Sequence, residues 1–229
     1  MADNQNKQLD GAADSGTIPA LVRGEYGWEG TVALPQWLAF NRGYGTWKAI
    51  RAATNARRRK REKRAGQERF QYPDSDGAIQ LSVTSSKEDL HLPPRPEQVR
   101  AYRLLLMHEA ELLAATLATF KKHWAEICCI YDHDDDDPNR HSLPLNLRAP
   151  EELCGLIALH HIYIGHKHTD GVAHVGLALS CDWDTEHGLG VYSCHGEVLG
   201  IGSGDLAFNG LSSAFKFWKK LKKAEITND

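Results

Sequence analysis

The clearest hydrophobic pattern in the chain begins after Pro96 and recurs every three or four residues. Pro96 suits the first position of a helix, and Glu97 places a favourable negative charge in the first turn. The apolar and aromatic positions that follow share one helical face: Val99, Tyr102, Leu106, Ala110, Leu113, Leu117, Phe120, Trp124 and Ile127. This spacing predicts one long helix with a single buried face.

Two stretches before this helix have the pattern of β-strands. The first, GWEGTV, contains strand-forming residues between glycines and is ended by Pro35. The second, AIQLSVT, alternates so that Ile79, Leu81 and Val83 lie on one face. Both are therefore predicted to add strands on the N-terminal side of the helix.

Four further strands are predicted after the helix. Pro150 opens a single helical turn, and GLIALHHIYIG and VAHVGLALSC then flank a turn at Asp170-Gly171. GLGVYSC and EVLGIG follow, joined by a tight turn at His195-Gly196. The order predicts an antiparallel meander.

Together these elements predict an α+β fold, in which an antiparallel meander packs against one long helix and further strands come from the N-terminal part. We expect a single domain over residues 18–210. The polar, aperiodic residues 1–17 are predicted to form a disordered tail. Residues 211–229 are predicted to form a short amphipathic helix and tail, with Phe215 and Trp218 on its apolar stripe.

Composition narrows the class of protein. The chain has 229 residues, 41% hydrophobic, with six Trp, seven Tyr and six Phe, which excludes disorder along its whole length. No apolar run approaches the roughly 20 residues of a membrane-spanning helix, and the first residues lack the apolar core of a secretory signal. Five cysteines without a framework spacing predict reduced thiols, and hence a cytoplasmic protein.

Charge is nearly balanced overall but uneven along the chain. The net charge of −3 gives no general attraction to nucleic acid, yet residues 51–69 carry nine basic and two acidic residues. A helix that is polar on every side cannot be a core element, so this segment is predicted to be an exposed insert. It lacks the interleaved aromatic residues that would stack on bases. Its candidate basic patch, which could neutralise phosphates, comprises Arg57, Arg58, Arg59, Lys60, Arg61, Lys63 and Arg64.

The string CDWDTEHGLGV concentrates carboxylates and an imidazole between two predicted strands. Such groups could form a general acid–base pair or bind a hard metal ion. Alternatively, the carboxylates accept backbone N–H bonds, and the glycines permit left-handed or bulged backbone in a structured connection. No nucleophile or oxyanion motif lies nearby in the sequence, which favours the structural interpretation. The candidate cluster is Trp183, Asp184, Glu186 and His187.

Neither metals nor cofactors are predicted. Seven of the twelve histidines lie between residues 160 and 195, but without the spacing of a zinc site. Strand alternation is expected to place His160 and His161 on opposite faces. The run from Asp134 to Asp137 lacks the ligand spacing and glycine of a calcium loop.

Four stretches occur in an order that resembles a family of uncharacterised bacterial proteins: EYGWEGTVALPQW, PPRPEQVRAY, WDTEHGLGV and GEVLGIGSGDLAF. The resemblance covers roughly residues 24 to 208 apart from the basic insert. The WDxEHGLGV-type signature is matched by Trp183, Asp184, Glu186, His187, Gly188 and Gly190. The resemblance implies a domain of unknown function with paired strands, a long helix and a closing sheet. It also implies a small cytoplasmic protein of the kind found among toxin-immunity genes.

The leading functional hypothesis is a non-catalytic protein-binding domain of the immunity type, whose partner would be a toxin-like protein. One alternative is a metal-assisted hydrolase that uses Asp184, Glu186 and His187. The other is nucleic-acid association through the insert at 51–69. Convergence of the three side chains in a concave pocket would favour the enzyme, and a broad exposed patch would favour the binding domain.

Overall fold

A computed structural model describes residues 18, 20–24, 27–43, 79–85, 92–131, 147–181, 183–184 and 187–210. The strands in these ranges are β1 (Val22–Arg23), β2 (Gly27–Val32), β3 (Ile79–Thr84), β4 (Ile157–Thr169), β5 (Val172–Cys181), β6 (Leu189–Cys194) and β7 (Glu197–Ser203). The helices are α1 (residues 35–43), α2 (Pro96–Met107), α3 (Glu109–Lys122), α4 (Trp124–Tyr131) and α5 (Asp205–Asn209), and Pro150–Leu153 forms a 3₁₀ turn.

The described strands form one mixed sheet in the order β1 to β7. Neighbouring strands are antiparallel except β3 and β4, which are parallel. Parallel neighbours need a crossover connection, and the chain makes it through α2, α3, α4 and the 3₁₀ turn. The predicted antiparallel arrangement is therefore confirmed for the meander β4–β7. The sheet as a whole is not purely antiparallel, because β3 and β4 are parallel.

Two tight turns set the register of the meander. Asp170 and Gly171 have φ angles of 48° and 73°, and His195 and Gly196 have φ angles of 54° and 80°. Positive φ at both central positions is typical of the type I′ turn, whose twist matches antiparallel strands. Both turns lie where the sequence predicted them.

The prediction of one long helix is corrected to three helices. His108, with φ −116° and ψ 28°, separates α2 from α3, and His123 separates α3 from α4. The predicted stripe shifts at the first break, because Ala110 is exposed while Leu105 and Leu112 are buried. Because residues 104–106 and 112–113 are all apolar, periodicity alone does not show which residue of each group is buried.

A further helix, α1, begins at Pro35, where the sequence predicted only the end of a strand. Trp37 and Phe40 lie three residues apart on its buried face, with ring centroids 5.9 Å apart. The backbone N–H of Trp37 donates a hydrogen bond of 2.9 Å to the buried carboxylate of Glu109. This contact fixes α1 against the start of α3.

The main core lies between the sheet and the helices α1–α4. Residues that face this core alternate along the strands and include Leu81, Val83, Ile162, Ile164, Leu177, Leu179 and Val191. The short helix α5 contacts β5, β6 and β7, and Leu206 on it forms a second small cluster with Tyr192. One face of the sheet is therefore covered by helices α1–α4, and α5 covers part of the second face.

Several sequence predictions lie outside the described residues. These are the tail at 1–17, the basic insert at 51–69, the run from Asp134 to Asp137 and the segment 211–229. None of the helices in the described part of the chain has both the length and the apolarity needed to cross a membrane.

Candidate functional site

The WDTEHGLGV segment lies in the connection between β5 and β6 and continues into the start of β6. Its Asp184 carboxylate accepts a hydrogen bond of 2.9 Å from the backbone N–H of His187, and the same oxygen lies 3.4 Å from the His187 Nδ1 atom. The Asp184 carbonyl accepts a second bond, of 3.0 Å, from the N–H of Gly188. Asp184 and His187 are thus brought together by a turn that is stabilised by the hydrogen bonds to Asp184. Glu186 lies outside the described residues.

Trp183 attaches this connection to the helical layer. Its ring packs edge-on against Trp124, with centroids 5.5 Å apart and planes at 87°. Trp183 is partly buried against the main core, and its indole Nε1 is buried without a hydrogen-bond partner among the described residues. The side chain therefore contributes apolar packing and offers no accessible polar group.

Two glycines are required by close backbone contacts in the same place. Gly188 has a φ of 64°, and a Cβ atom there would lie 2.5 Å from the Leu179 carbonyl oxygen. A Cβ atom on Gly204 would overlap the His187 carbonyl oxygen. The hydrogen bonds that Asp184 accepts and these two glycine contacts are those expected of a structured connection between strands, the alternative to an acid–base or metal site. Within the described residues, no group of three or more His, Cys, Asp and Glu side chains could hold a metal ion.

The second face of the sheet carries a cluster that the sequence analysis did not find. Two cross-strand rows run over β2, β3 and β4 on this face: Thr31, Gln80 and His161 in one, and Glu29, Ser82 and Tyr163 in the other. These residues alternate with the core-facing positions of the same strands, as the pleat requires. Glu29, Thr31 and Gln80 are exposed.

Direct contacts join the centre of this face. Ser82 Oγ lies 2.8 Å from His161 Nε2, and the His161 ring stacks on Tyr163 with centroids 4.1 Å apart. The Tyr163 ring meets Phe208 of α5 at 5.5 Å and 71°. Phe208 is 50% exposed. We call the set formed by Ser82, His161, Tyr163 and Phe208, with the exposed Glu29, Thr31 and Gln80 beside it, the sheet-face patch.

The centre of the patch is uncharged at neutral pH. Burial, followed by the neighbouring His160, lowers the pKa of His161 to about 4, so its imidazole is neutral. Burial raises the pKa of Tyr163 above its ordinary value, so the phenol keeps its proton. The patch therefore combines aromatic surface with neutral hydrogen-bonding groups, and Glu29 places a carboxylate at its rim.

A β-bulge changes the expected positions of the two adjacent histidines. The register between β4 and β5 shifts between Leu159 and His161, and His160 lies at this irregularity. The rings of His160 and His161 lie 6.4 Å apart. The expectation that the two rings are separated by the sheet is therefore wrong, because regular alternation is interrupted at this point.

Two glycines allow α5 to lie directly on the sheet and so place Phe208 beside Tyr163. A Cβ atom on Gly176 would overlap the backbone of Ala207, and one on Gly190 would lie 3.0 Å from the Ala207 nitrogen. The alternation of His161 and Tyr163 with Ile162 and Ile164 was the available sequence signal for this face. The patch was missed because local patterns do not reveal that β3 pairs with β4 or that α5 packs there.

Comparison with known proteins identifies the family of the chain. Residues 63–208 match the family model described as Domain of unknown function (DUF6985). The match covers more than half of the chain, which therefore belongs to this family, and it confirms that a domain of unknown function is present. Neither a curated protein nor a solved structure gives a significant match. The matched range contains Ser82, His161, Tyr163 and Phe208 of the sheet-face patch, whereas β2 precedes it.

Proposed function

We propose that the chain is a non-catalytic protein-binding domain and that the sheet-face patch is its binding surface. The observation that carries the proposal is the half-exposed ring of Phe208 against Tyr163, next to ordered hydrogen-bonding groups. Protein interfaces are enriched in aromatic residues at their centre, and the energetically important residues are surrounded by groups that exclude water. The patch places aromatic rings beside polar side chains on a hydrogen-bonded sheet.

The chemistry of the patch indicates what a partner presents to it. An apolar side chain would contact the edge formed by Tyr163 and Phe208, while polar groups would bond to Gln80 and Thr31. The carboxylate of Glu29 at the rim favours a Lys or Arg of the partner at that position. Since the contacts between Ser82, His161 and Tyr163 already order the centre, little conformational freedom is lost on binding.

The enzyme alternative has weaker support. The Asp184 carboxylate that a hydrolase would need is bonded to the backbone of its own turn. The Ser82–His161 pair is close enough for a nucleophile and its base, but a hydroxyl in the middle of a strand also needs donors for a developing oxyanion. The described interactions of this pair serve to order the patch. The nucleic-acid alternative depends on Arg57 to Arg64, which lie outside the described residues.

The immunity-type function is a more specific form of the proposal and rests on the family resemblance stated above. In this form the domain is a cytoplasmic bacterial protein that neutralises a toxin by stoichiometric occlusion. Co-expression with a toxin encoded beside its gene should then rescue cells in proportion to the amount of this protein. Rescue at strongly substoichiometric amounts would indicate turnover and reject the binding function.

Affinity purification of the full chain from its native host tests the proposal. The patch variant carries Gln80→Arg and Phe208→Ser, two changes at exposed positions that we expect to leave the fold intact. His187→Gln, at an exposed position in the β5–β6 connection, is the matched control. A partner should co-purify with the wild type and the control and be lost from the patch variant. A partner retained by the folded patch variant would contradict the proposed surface.

A further inference from the structure

A chain of hydrogen bonds begins at Tyr192 on β6 and runs toward the turn that joins β4 to β5. His174 Nδ1 lies 2.6 Å from Tyr192 Oη, and His174 Nε2 lies 2.8 Å from Thr169 Oγ1. The Thr169 hydroxyl is in turn hydrogen-bonded to the Cys194 thiol, and this thiol donates to the Val172 carbonyl oxygen at 3.8 Å. Four side chains from three strands are therefore joined in one network.

The protonation of these groups sets the direction of the network. Burial raises the pKa of Cys194, so the thiol keeps the proton that it donates to the Val172 carbonyl. The Thr169 hydroxyl then donates to the sulfur, and its oxygen accepts the Nε2–H of His174. Burial lowers the pKa of His174, so the imidazole is neutral and its Nδ1 carries no proton. Nδ1 is thus the acceptor for the phenol of Tyr192, whose pKa is raised to about 12 by burial and then by Cys194.

The C-terminal end of α5 lies on the same phenol. Tyr192 is 6% exposed and forms a cluster with Leu206 of α5. Gly210 ends the helix with a φ of 70° and an N–H bond of 2.9 Å to the Leu206 carbonyl. A Cβ atom on Gly210 would lie 2.9 Å from Tyr192 Oη, so the oxygen that His174 holds is in close contact with the helix end. Phe208 of the sheet-face patch lies two positions before this glycine.

We propose that His174 is a positioning residue of the sheet-face patch, which keeps Phe208 against Tyr163 by accepting the Tyr192 proton. A buried donor that lacks an acceptor is costly, so without Nδ1 the phenol would move toward another acceptor. Because Gly210 lies against the phenol, this movement would shift α5 on the sheet. The effect of His174 on Phe208 follows from these contacts alone, whereas its effect on a partner rests on the proposed function.

NMR spectroscopy of the full chain tests the proposal through the nuclear Overhauser effect between the ring protons of Phe208 and Tyr163, whose centroids lie 5.5 Å apart. This signal should be lost in His174→Leu, which fills the space but offers no acceptor. It should be retained in His174→Asn, because the Asn side-chain oxygen can accept the Tyr192 proton close to the position of Nδ1. The matched control is Val175→Ala, the next residue on β5, which is buried in the main core and whose side chain is not part of the network. The control should also retain the signal.

A double variant separates an effect through Tyr192 from general destabilisation. Adding Tyr192→Phe to His174→Leu removes the proton that needs an acceptor, and replacing both partners of a hydrogen bond by apolar groups can be nearly neutral. The double variant should therefore regain the signal between Phe208 and Tyr163. If His174→Leu alone does not fold, the double variant should still fold and show this signal.

The inference would be overturned if the signal persisted in folded His174→Leu, or if Val175→Ala lost it to the same extent. It would also be overturned if the double variant did not regain the signal. Co-purification of a partner reports separately on the proposed function. A partner that still binds folded His174→Leu after the signal is lost would contradict the sheet-face patch as the binding surface and would leave the role of His174 intact.

Discussion

Gly176 lies directly beneath the backbone of Ala207, so that the space of a side chain on β5 is occupied by the backbone of α5. This relationship places Phe208 against Tyr163 and completes the sheet-face patch. The position of the patch therefore depends on a residue that contributes no surface to it. A methyl group at Gly176 should move α5 away from the sheet.

We predict that Gly176→Ala destabilises the fold by about 1–3 kcal/mol, the usual cost of inserting atoms into a packed site. Gly165→Ala on β4 is the matched control, because a Cβ atom there would lie 3.6 Å from its nearest neighbour, the His174 carbonyl oxygen. Urea unfolding of both variants measures the difference. Equal stability of the two variants would show that α5 does not lie on β5 as described.

The β5–β6 connection should respond to substitution as a structural element. Trp183→Ala should cost about 2–3 kcal/mol, somewhat below the value for a fully buried Trp, because its ring is only partly buried against Trp124. Asp184→Ala should cost about 1 kcal/mol through loss of the bond to the His187 N–H. Thermal unfolding would measure both effects.

The control for this prediction is His187→Gln, which leaves the backbone N–H in place and should change stability by less than about 0.5 kcal/mol. If His187→Gln proved as destabilising as Asp184→Ala, the imidazole and not the backbone bond would hold the turn. Stoichiometric zinc or manganese in protein purified without a histidine tag, lost on His187→Gln, would support the metal-assisted hydrolase.

Ser82 should be unreactive despite its distance of 2.8 Å from His161. We expect no stable adduct with a fluorophosphonate, because a base alone does not supply the oxyanion donors that acyl-transfer chemistry uses. Intact-mass spectrometry after incubation provides the measurement, with a known serine hydrolase as the positive control. An adduct on Ser82 that disappears in His161→Gln would favour an enzyme.

The low pKa of His161 predicts a pH dependence of stability. Its folded pKa of about 4 lies below the ordinary value of 6.5, so the unfolded chain binds more protons between these values. The free energy of unfolding should therefore fall as the pH falls from about 6.5 to 4, with a contribution on the order of 3 kcal/mol from this group. His161→Gln should reduce the slope measured by urea unfolding. An identical slope in His161→Gln would contradict the burial of this imidazole.

The sequence was informative where structure is determined locally. The strand-forming residues of GWEGTV and the alternation in AIQLSVT predicted β2 and β3, and Asp170-Gly171 and His195-Gly196 predicted both turns. These features depend on short-range sterics and on the pleat. Trp37 was missed because its helix is fixed by a distant partner, Glu109.

The candidate site was less predictable for the same reason. Asp184 and His187 were recognised as neighbours, because they are three positions apart within one turn. The Ser82–His161 contact joins residues that are far apart in the sequence, through a parallel pairing that no local pattern encodes. The break at His108 also depends on which of several adjacent leucines the sheet buries.

Site-specific photo-crosslinking tests the central claim most directly. A photoreactive amino acid replaces Gln80, which is exposed on the sheet-face patch, and in a separate protein it replaces Ala110, which is exposed on α3. In native cells, we predict that position 80 crosslinks to one discrete protein and that the adduct is lost when Phe208→Ser is added. Position 110 should give no such adduct. Crosslinking of the same protein at position 110 but not at position 80 would contradict the assignment of the sheet-face patch as the binding surface.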